Sequence, residues 1–261
     1  MSHVAAANAH SAHYVSAEWQ TRVHLAAVLR LLSHFGMADG IRTHASARVP
    51  EEPDIFLINP NHLMFHEVTA SSLIKLSTDG EVLDAPEGQA VLNAHLTHGA
   101  LYAARSDVNC IIHTHTEAGV TVSCLADGIL PFNHWALEFY DRVARHTYEG
   151  VTLDHNERQR MVSDLGKFYV LLLNNHGLTT LGRSIPEAFK RMHNLEKVCR
   201  TQLNILASGS RIIPVRPDVC EKTANQYAAR HNSLLKQPLQ ADVEWQALIR
   251  LAEHHSPGFD D

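Results

Sequence analysis

Residues 168–177, FYVLLLNNHG, carry the reading on which the rest of the chain depends. Six consecutive apolar or aromatic residues make the strongest strand pattern in the sequence, too short a run for a helix. The run ends in Asn174-Asn175-His176-Gly177, where the backbone must turn, so His176 is expected at the end of a buried strand. Residues 110–115, CIIHTH, repeat the arrangement with two histidines. On an extended chain positions i and i+2 share a face, so His113 and His115 converge on one point. Two neutral imidazoles held that way begin a Zn, Mn, Fe or Co site, and loops and strand ends are where such sites are built. For any one of these histidines the competing reading is structural, a buried ring satisfied by backbone carbonyls.

Around these two runs the chain alternates helix and strand signals. From Ser16 to about Phe35, Trp19, Val23, Ala26, Ala27 and Leu31 recur at helical spacing, with Gly36 as the stop. Short strands are predicted over 45–49, 55–58 and 73–77, separated by Pro50, Pro53, Asn59-Pro60 and Asp79-Gly80. Glu67–Ser71 reads as the cap of a short helix. Pro86-Glu87 opens a second helix to about Arg105, with Val91, Ala94, His98, Leu101 and Tyr102 on one face. Further helices are expected over 118–125 and 157–165. Ser184-Ile185-Pro186-Glu187 is a capping box opening a long helix to about Leu206, with Phe189, Met192, Leu195, Cys199 and Leu203 inward. Pro214 and Pro217 mark a boundary, followed by helices over 217–231 and 244–254. The stripe Trp245, Leu248 and Leu251 on the last of these reads as packing on the body or on a neighbouring chain. The organisation is a flexible lead-in over 1–15, one α/β domain over 16–215 and a helical extension over 216–261.

Composition narrows the function. With 261 residues, 45% hydrophobic and 19% charged, the chain can bury a sizeable core and is too apolar for disorder. A net charge of −6 and the lack of a basic stripe argue against nucleic acid. No stretch approaches the roughly 18 apolar residues of a membrane span, and the N-terminus lacks the pattern of a secretory signal. The expected location is the cytoplasm, in keeping with four scattered cysteines (Cys110, Cys124, Cys199, Cys220) and no CxxC pair. Histidine, at 20 residues, is the excess that asks for an explanation.

Three segments resemble the class II aldolase and adducin head-domain family: 58–73 (INPNHLMFHEVTASSL), 98–123 (HGALYAARSDVNCIIHTHTEAGVTVS) and 171–207 (LLLNNHGLTTLGRSIPEAFKRMHNLEKVCRTQLNILA). The resemblance covers about 20–215, and the 61-residue separation of His115 from His176 matches the family's spacing. It implies a three-layer α/β/α fold around a mixed, largely antiparallel sheet. It also implies homotetramers with active sites between neighbouring subunits. A divalent metal, zinc ahead of Mn, Co or Fe, would be held by His113, His115 and His176.

The sequence departs from the family's sugar-phosphate aldolases at telling places. Where they carry an acid/base glutamate, four residues before His98, this chain has Ala94, which can neither take a proton nor bind a cation. Glu87, His98 and Glu117 are nearby substitutes. The phosphate loops have lost their glycines and read Arg42-Thr43-His44-Ala45-Ser46 and Asn59-Pro60-Asn61-His62; phosphate binding would then fall to Arg42, Ser46 or an imidazolium. The catalytic tyrosine has no clear counterpart in Asn133-His134-Trp135, which leaves His134 and Tyr140 as proton carriers beside His98. A metal site with an altered acid/base partner fits a carbon–carbon lyase of aldolase or decarboxylase type. Its substrate would be a small hydroxy or keto acid or a sugar-like molecule, reacting through a metal-stabilised enediolate. The alternatives are a non-catalytic assembly or binding module resembling the adducin head, and a metal-dependent dehydratase or isomerase.

Overall fold

Short apolar strands punctuated by proline and glycine assemble into one eight-stranded sheet in the computed structural model, which describes residues 16–86, 95–150 and 155–261. The helices are α1 (Ala17–His34), α2 (His95–Ala104), α3 (Glu117–Ser123), α4 (His155–Leu165), α5 (Ile185–Ala207), α6 (Pro217–Leu234) and α7 (Val243–His255). The strands are β1 (His44–Arg48), β2 (Ile55–Ile58), β3 (Ile74–Ser77), β4 (Val82–Asp84), β5 (Cys110–Thr114), β6 (Ala144–His146), β7 (Val170–Leu173) and β8 (Gly177–Gly182). Their order in the sheet is β4-β3-β2-β1-β5-β8-β7-β6. Among the described residues the β6–β7 pair is parallel and every other pair antiparallel.

Alternation along the strands sorts side chains into two apolar layers. Cys110 and Ile112 of β5 face a cluster built from α1, α5 and α7, including Leu25, Leu29, Phe189, Met192 and Trp245. Ile111 joins the opposite cluster with Leu101 and Tyr102 of α2 and Met161 and Leu165 of α4. The architecture is therefore three layers, helix on sheet on helix, as expected. His113 has the parity of Ile111 and lies on the α2 side.

Local signals explain most helix starts. Ser16 accepts from the Trp19 amide at the head of α1, and Ser184 accepts from the Glu187 amide at the head of α5. Glu187 reaches back as a capping-box glutamate should, but to the Arg183 amide at 2.8 Å, one residue before the cap. It also takes the Arg183 and Arg191 guanidiniums, so one buried carboxylate closes the helix start and two cations. The tail stripe packs on the body: Trp245 is fully buried, and Leu248 and Leu251 lie against the same cluster as α1.

Three differences from the sequence reading have physical causes. Residues 177–182 form β8, a strand the sequence reading does not assign beyond the turn at Gly177; GLTTLG carries two glycines and becomes a strand through its ladder with β5. Glu67–Ser71 is a pair of turns, not a helix, with Ser72 and Thr69 bonding each other's backbone. The strands β4 and β6, three residues each, are too short to leave a periodicity. The expectations for residues 1–15, Glu87, Val91 and Ala94 lie outside the described residues. No described helix is long and apolar enough to cross a membrane, and all four cysteines are free.

Candidate metal centre

The three histidines meet at one end of the antiparallel β5–β8 pair. Thr114 pairs with Leu178, which places His176, two residues earlier in the chain, beside His115. Closure depends on Gly177: a Cβ there would lie 2.4 Å from the Thr114 carbonyl oxygen. Asn175 turns the chain in the left-handed region, at φ 59°, where asparagine is tolerated better than most residues. His115 Nε2 lies 2.8 Å from His113 Nε2 and 2.9 Å from His176 Nε2. One ligand nitrogen from each ring falls within 4.8 Å of the others.

Hydrogen bonds behind the rings decide what those nitrogens offer. His113 Nδ1 is 3.0 Å from the Leu178 carbonyl, which can only accept, so the ring proton sits on Nδ1. His115 Nδ1 faces an Asp39 carboxylate oxygen at 3.1 Å and donates to it. In a neutral ring the other nitrogen is then a bare lone pair. With both rings neutral, the Nε2 atoms of His113 and His115 point two lone pairs at each other at hydrogen-bond distance. That arrangement is repulsive alone and attractive around a cation. Burial, reinforced by neighbouring imidazoles, pushes the His113 pKa well below 6.5 and that of His176 to about 4. Both rings are thus neutral at pH 7, the state a metal requires. Three imidazoles with one open side suit zinc, and equally the Mn, Co and Fe ions expected from the sequence.

A second polar row lies directly behind. His44 pairs with His113 across β1 and β5, with the rings 5.0 Å apart. His44 Nδ1 is 2.8 Å from His98 Nε2, and His98 Nδ1 is 2.6 Å from Ser46 Oγ. Ser46 Oγ is 2.8 Å from the Tyr102 hydroxyl. His98, expected to act at the centre, thus sits behind His44, with both nitrogens engaged and 1% of its surface exposed. Burial first, then His113 and His95, lowers its pKa to about 3.

His134 and Tyr140 do not join this cluster within the chain. His134 is exposed, lies tilted beside Trp135 with ring centroids 5.1 Å apart, and has its carbonyl 3.4 Å from the Tyr227 hydroxyl. Tyr140 lines a 420 Å³ cavity with Tyr169, Arg183 and Tyr227. That cavity borders the Gly182 end of β8, about 17 Å along the strand from the histidines. The phenol beside the centre is instead Tyr148, half-exposed, with its ring 6.2 Å from that of His176. Sequence reasoning missed Asp39, Tyr148 and the joint contact of His44 and Ser46 with His98. The last had a usable signal, polar residues at alternate positions of the small-residue strand HASAR.

Comparison with known proteins places the fold in a family. Residues 23–203 match the model of the class II aldolase and adducin N-terminal domain. A crystal structure of an aldolase II superfamily protein from Pseudomonas syringae is 40% identical, covers 95% of this chain and 98% of its own, and superposes with TM-score 0.85. The L-fuculose 1-phosphate aldolase of Glaciozyma antarctica is 25% identical over 91% of this chain and 90% of its own, with TM-score 0.77. Alpha-adducin of Mus musculus is 42% identical over 198 residues, 75% of this chain but 27% of adducin.

Proposed function

The chain belongs to the class II aldolase and adducin N-terminal domain family, and from that premise we propose that it is a divalent-metal-dependent carbon–carbon lyase of aldolase or decarboxylase type, acting on a small hydroxy or keto acid or a sugar-like substrate. The observation that carries the reading is the convergence of lone pairs from His113 and His115, fixed by Leu178 and Asp39, with His176 completing the set. When bound, a divalent ion supplies the Lewis acid that draws electron density from a breaking C–C bond.

The chain's own residues supply the remainder. Asp39 and the Leu178 carbonyl hold two rings in the ligating tautomer. Tyr148 stands at the open side as a proton carrier beside His176. Arg42, exposed and 3.5 Å from Asp39, is a cation on the Asp39 side of the centre that could meet a substrate carboxylate. Decarboxylation needs no base to begin, so it tolerates Ala94 better than an aldol cleavage that starts by removing a proton. The 42% identity to alpha-adducin supports a second reading, a binding module that keeps the site without turnover.

Metal analysis after reconstitution with zinc separates these readings. The lyase reading expects about one zinc per chain, lost in His115→Ala. It also expects aldehyde or carbon dioxide to be released from members of a panel of 2-hydroxy and 2-keto acids. Absence of stoichiometric metal refutes the lyase; stoichiometric metal without turnover across the panel favours the module.

A further inference from the structure

The buried row behind the metal centre has a direction that follows from counting protons. It consists of Tyr102, Ser46, His98 and His44, and the first three are at most 1% exposed. Each link is a short contact holding one hydrogen, and a neutral His98 has one ring proton to place. If that proton were on Nδ1, His98 would donate to Ser46, and Ser46 to Tyr102. The phenol hydrogen would then need a further acceptor. Among the described residues Tyr102 has Ser46 as its side-chain partner. The Ile111 amide, which favours the ionised phenol, presents a donor to the same oxygen. A buried hydroxyl hydrogen without an acceptor is destabilising, because it has left water without gaining a partner. The opposite direction gives every hydrogen within the row an acceptor: Tyr102 donates to Ser46, Ser46 to His98 Nδ1, and His98 Nε2–H to His44 Nδ1. His44 then carries its own proton on Nε2.

His44 is also the member of the row that reaches the site. It is 7% exposed, and its ring lies against that of His113 on the shared sheet face. We propose that His44 is a neutral hydrogen-bond donor to a carboxylate or hydroxyl oxygen of a small acid held at the three-histidine centre, with its Nε2–H tautomer set by the buried row from Tyr102 through Ser46 and His98. Ser46, His98 and Tyr102 are positioning residues that act through His44. The donor role rests on the lyase reading; the tautomer does not.

The test is two-bond proton–nitrogen correlation on histidine-labelled protein, with signals assigned by their loss in His44→Gln and His98→Gln. Wild type is expected to show both rings as Nε2–H tautomers at pH 7, with or without zinc. Ser46→Ala opens the row, and an Nδ1–H population of His44 becomes visible. Glycolate, the small-acid probe, is expected to bind zinc-loaded His44→Phe about ten-fold more weakly than wild type, at unchanged zinc content. An Nδ1–H His44 in wild type, or a Ser46→Ala variant with no tautomer change, overturns the positioning row. Equal glycolate affinity in His44→Phe, or no glycolate binding by zinc-loaded wild type, overturns the donor role. Failure of wild type to take up zinc would sink the lyase reading instead and leave the tautomer readable in the metal-free protein.

Discussion

Removing the Asp39 carboxylate should weaken zinc binding by about ten-fold, and the size of the effect follows from where that carboxylate sits. Its oxygen accepts from His115 Nδ1 at 3.1 Å, holding the ring proton away from the ligating nitrogen. A charge-assisted hydrogen bond is worth roughly 1.5–3 kcal/mol when well shielded. Partners that orient a metal-bound histidine typically change affinity by about 10–100-fold. Side-chain exposures of 36% for Asp39 and 21% for His115 let water replace part of the bond, so the lower end applies. Asp39→Ala is then expected to raise the zinc Kd about ten-fold, near 1.4 kcal/mol. Asp39→Asn keeps an acceptor without the charge and should fall between Ala and wild type. The assay is competition against a chromophoric zinc chelator at pH 7.5 and fixed ionic strength. Arg42→Ala serves as control, because its 3.5 Å pairing with Asp39 is made by a side chain 73% exposed and contributes little. A Kd for Asp39→Ala within two-fold of wild type would refute the claim that this carboxylate selects the tautomer of His115.

Three further outcomes follow from the packing. Gly177→Ala drives a Cβ to 2.4 Å from the Thr114 carbonyl oxygen, so it should cost about 2 kcal/mol in urea unfolding and weaken zinc binding in parallel; intact zinc affinity would show that strand closure does not set the site. Glu187→Gln strips the carboxylate from Arg191, whose side chain is 8% exposed, and should cost about 3 kcal/mol. Despite burial, the Arg183 and Arg191 guanidiniums hold Glu187 at about 2, so its contribution is whole above pH 4.5 and fades as pH falls from 4.5 to about 2, which a urea midpoint series would follow. His193 lies between Phe35 and Phe189, ring centroids 4.3 and 5.9 Å away, and burial followed by Lys197 lowers its pKa to about 4. As pH falls from 6.5 to 4 the unfolded chain takes a proton that the folded ring refuses, so stability declines across that window. His193→Phe should flatten the decline; an unchanged slope would exclude this ring as its source.

What the sequence made legible was local. The i, i+2 histidines of β5 and the strand-end His176 are positions whose geometry is set by their own neighbours, and the capping serine at 184 does its work within one turn. What it concealed depends on distant pairing. Strand β8 exists because β5 lies alongside it, and its own residues, with a glycine at each end, carry little strand preference. Asp39 reaches His115 across 76 residues, and nothing near an Asp-Gly turn announces that partner. His44 and Ser46 were read as remnants of a phosphate loop; the alternation that puts both on the α2 side of the sheet was present but short. Tyr140 is the phenol nearest in sequence to Asn133-His134-Trp135, yet the chain carries it toward the far end of β7 and β8, and Tyr148 takes the place beside His176.

The chemistry of this pocket also dictates an order of arrival. Burial keeps His44, His98, His113 and His176 uncharged at neutral pH in a protein of net charge −6, and Asp39 offsets the guanidinium of Arg42. An organic anion approaching those rings finds no electrostatic invitation until the ion is seated. On the lyase reading, cation first and acid second is therefore the expected order, and millimolar glycolate without zinc should leave the melting temperature where it stood.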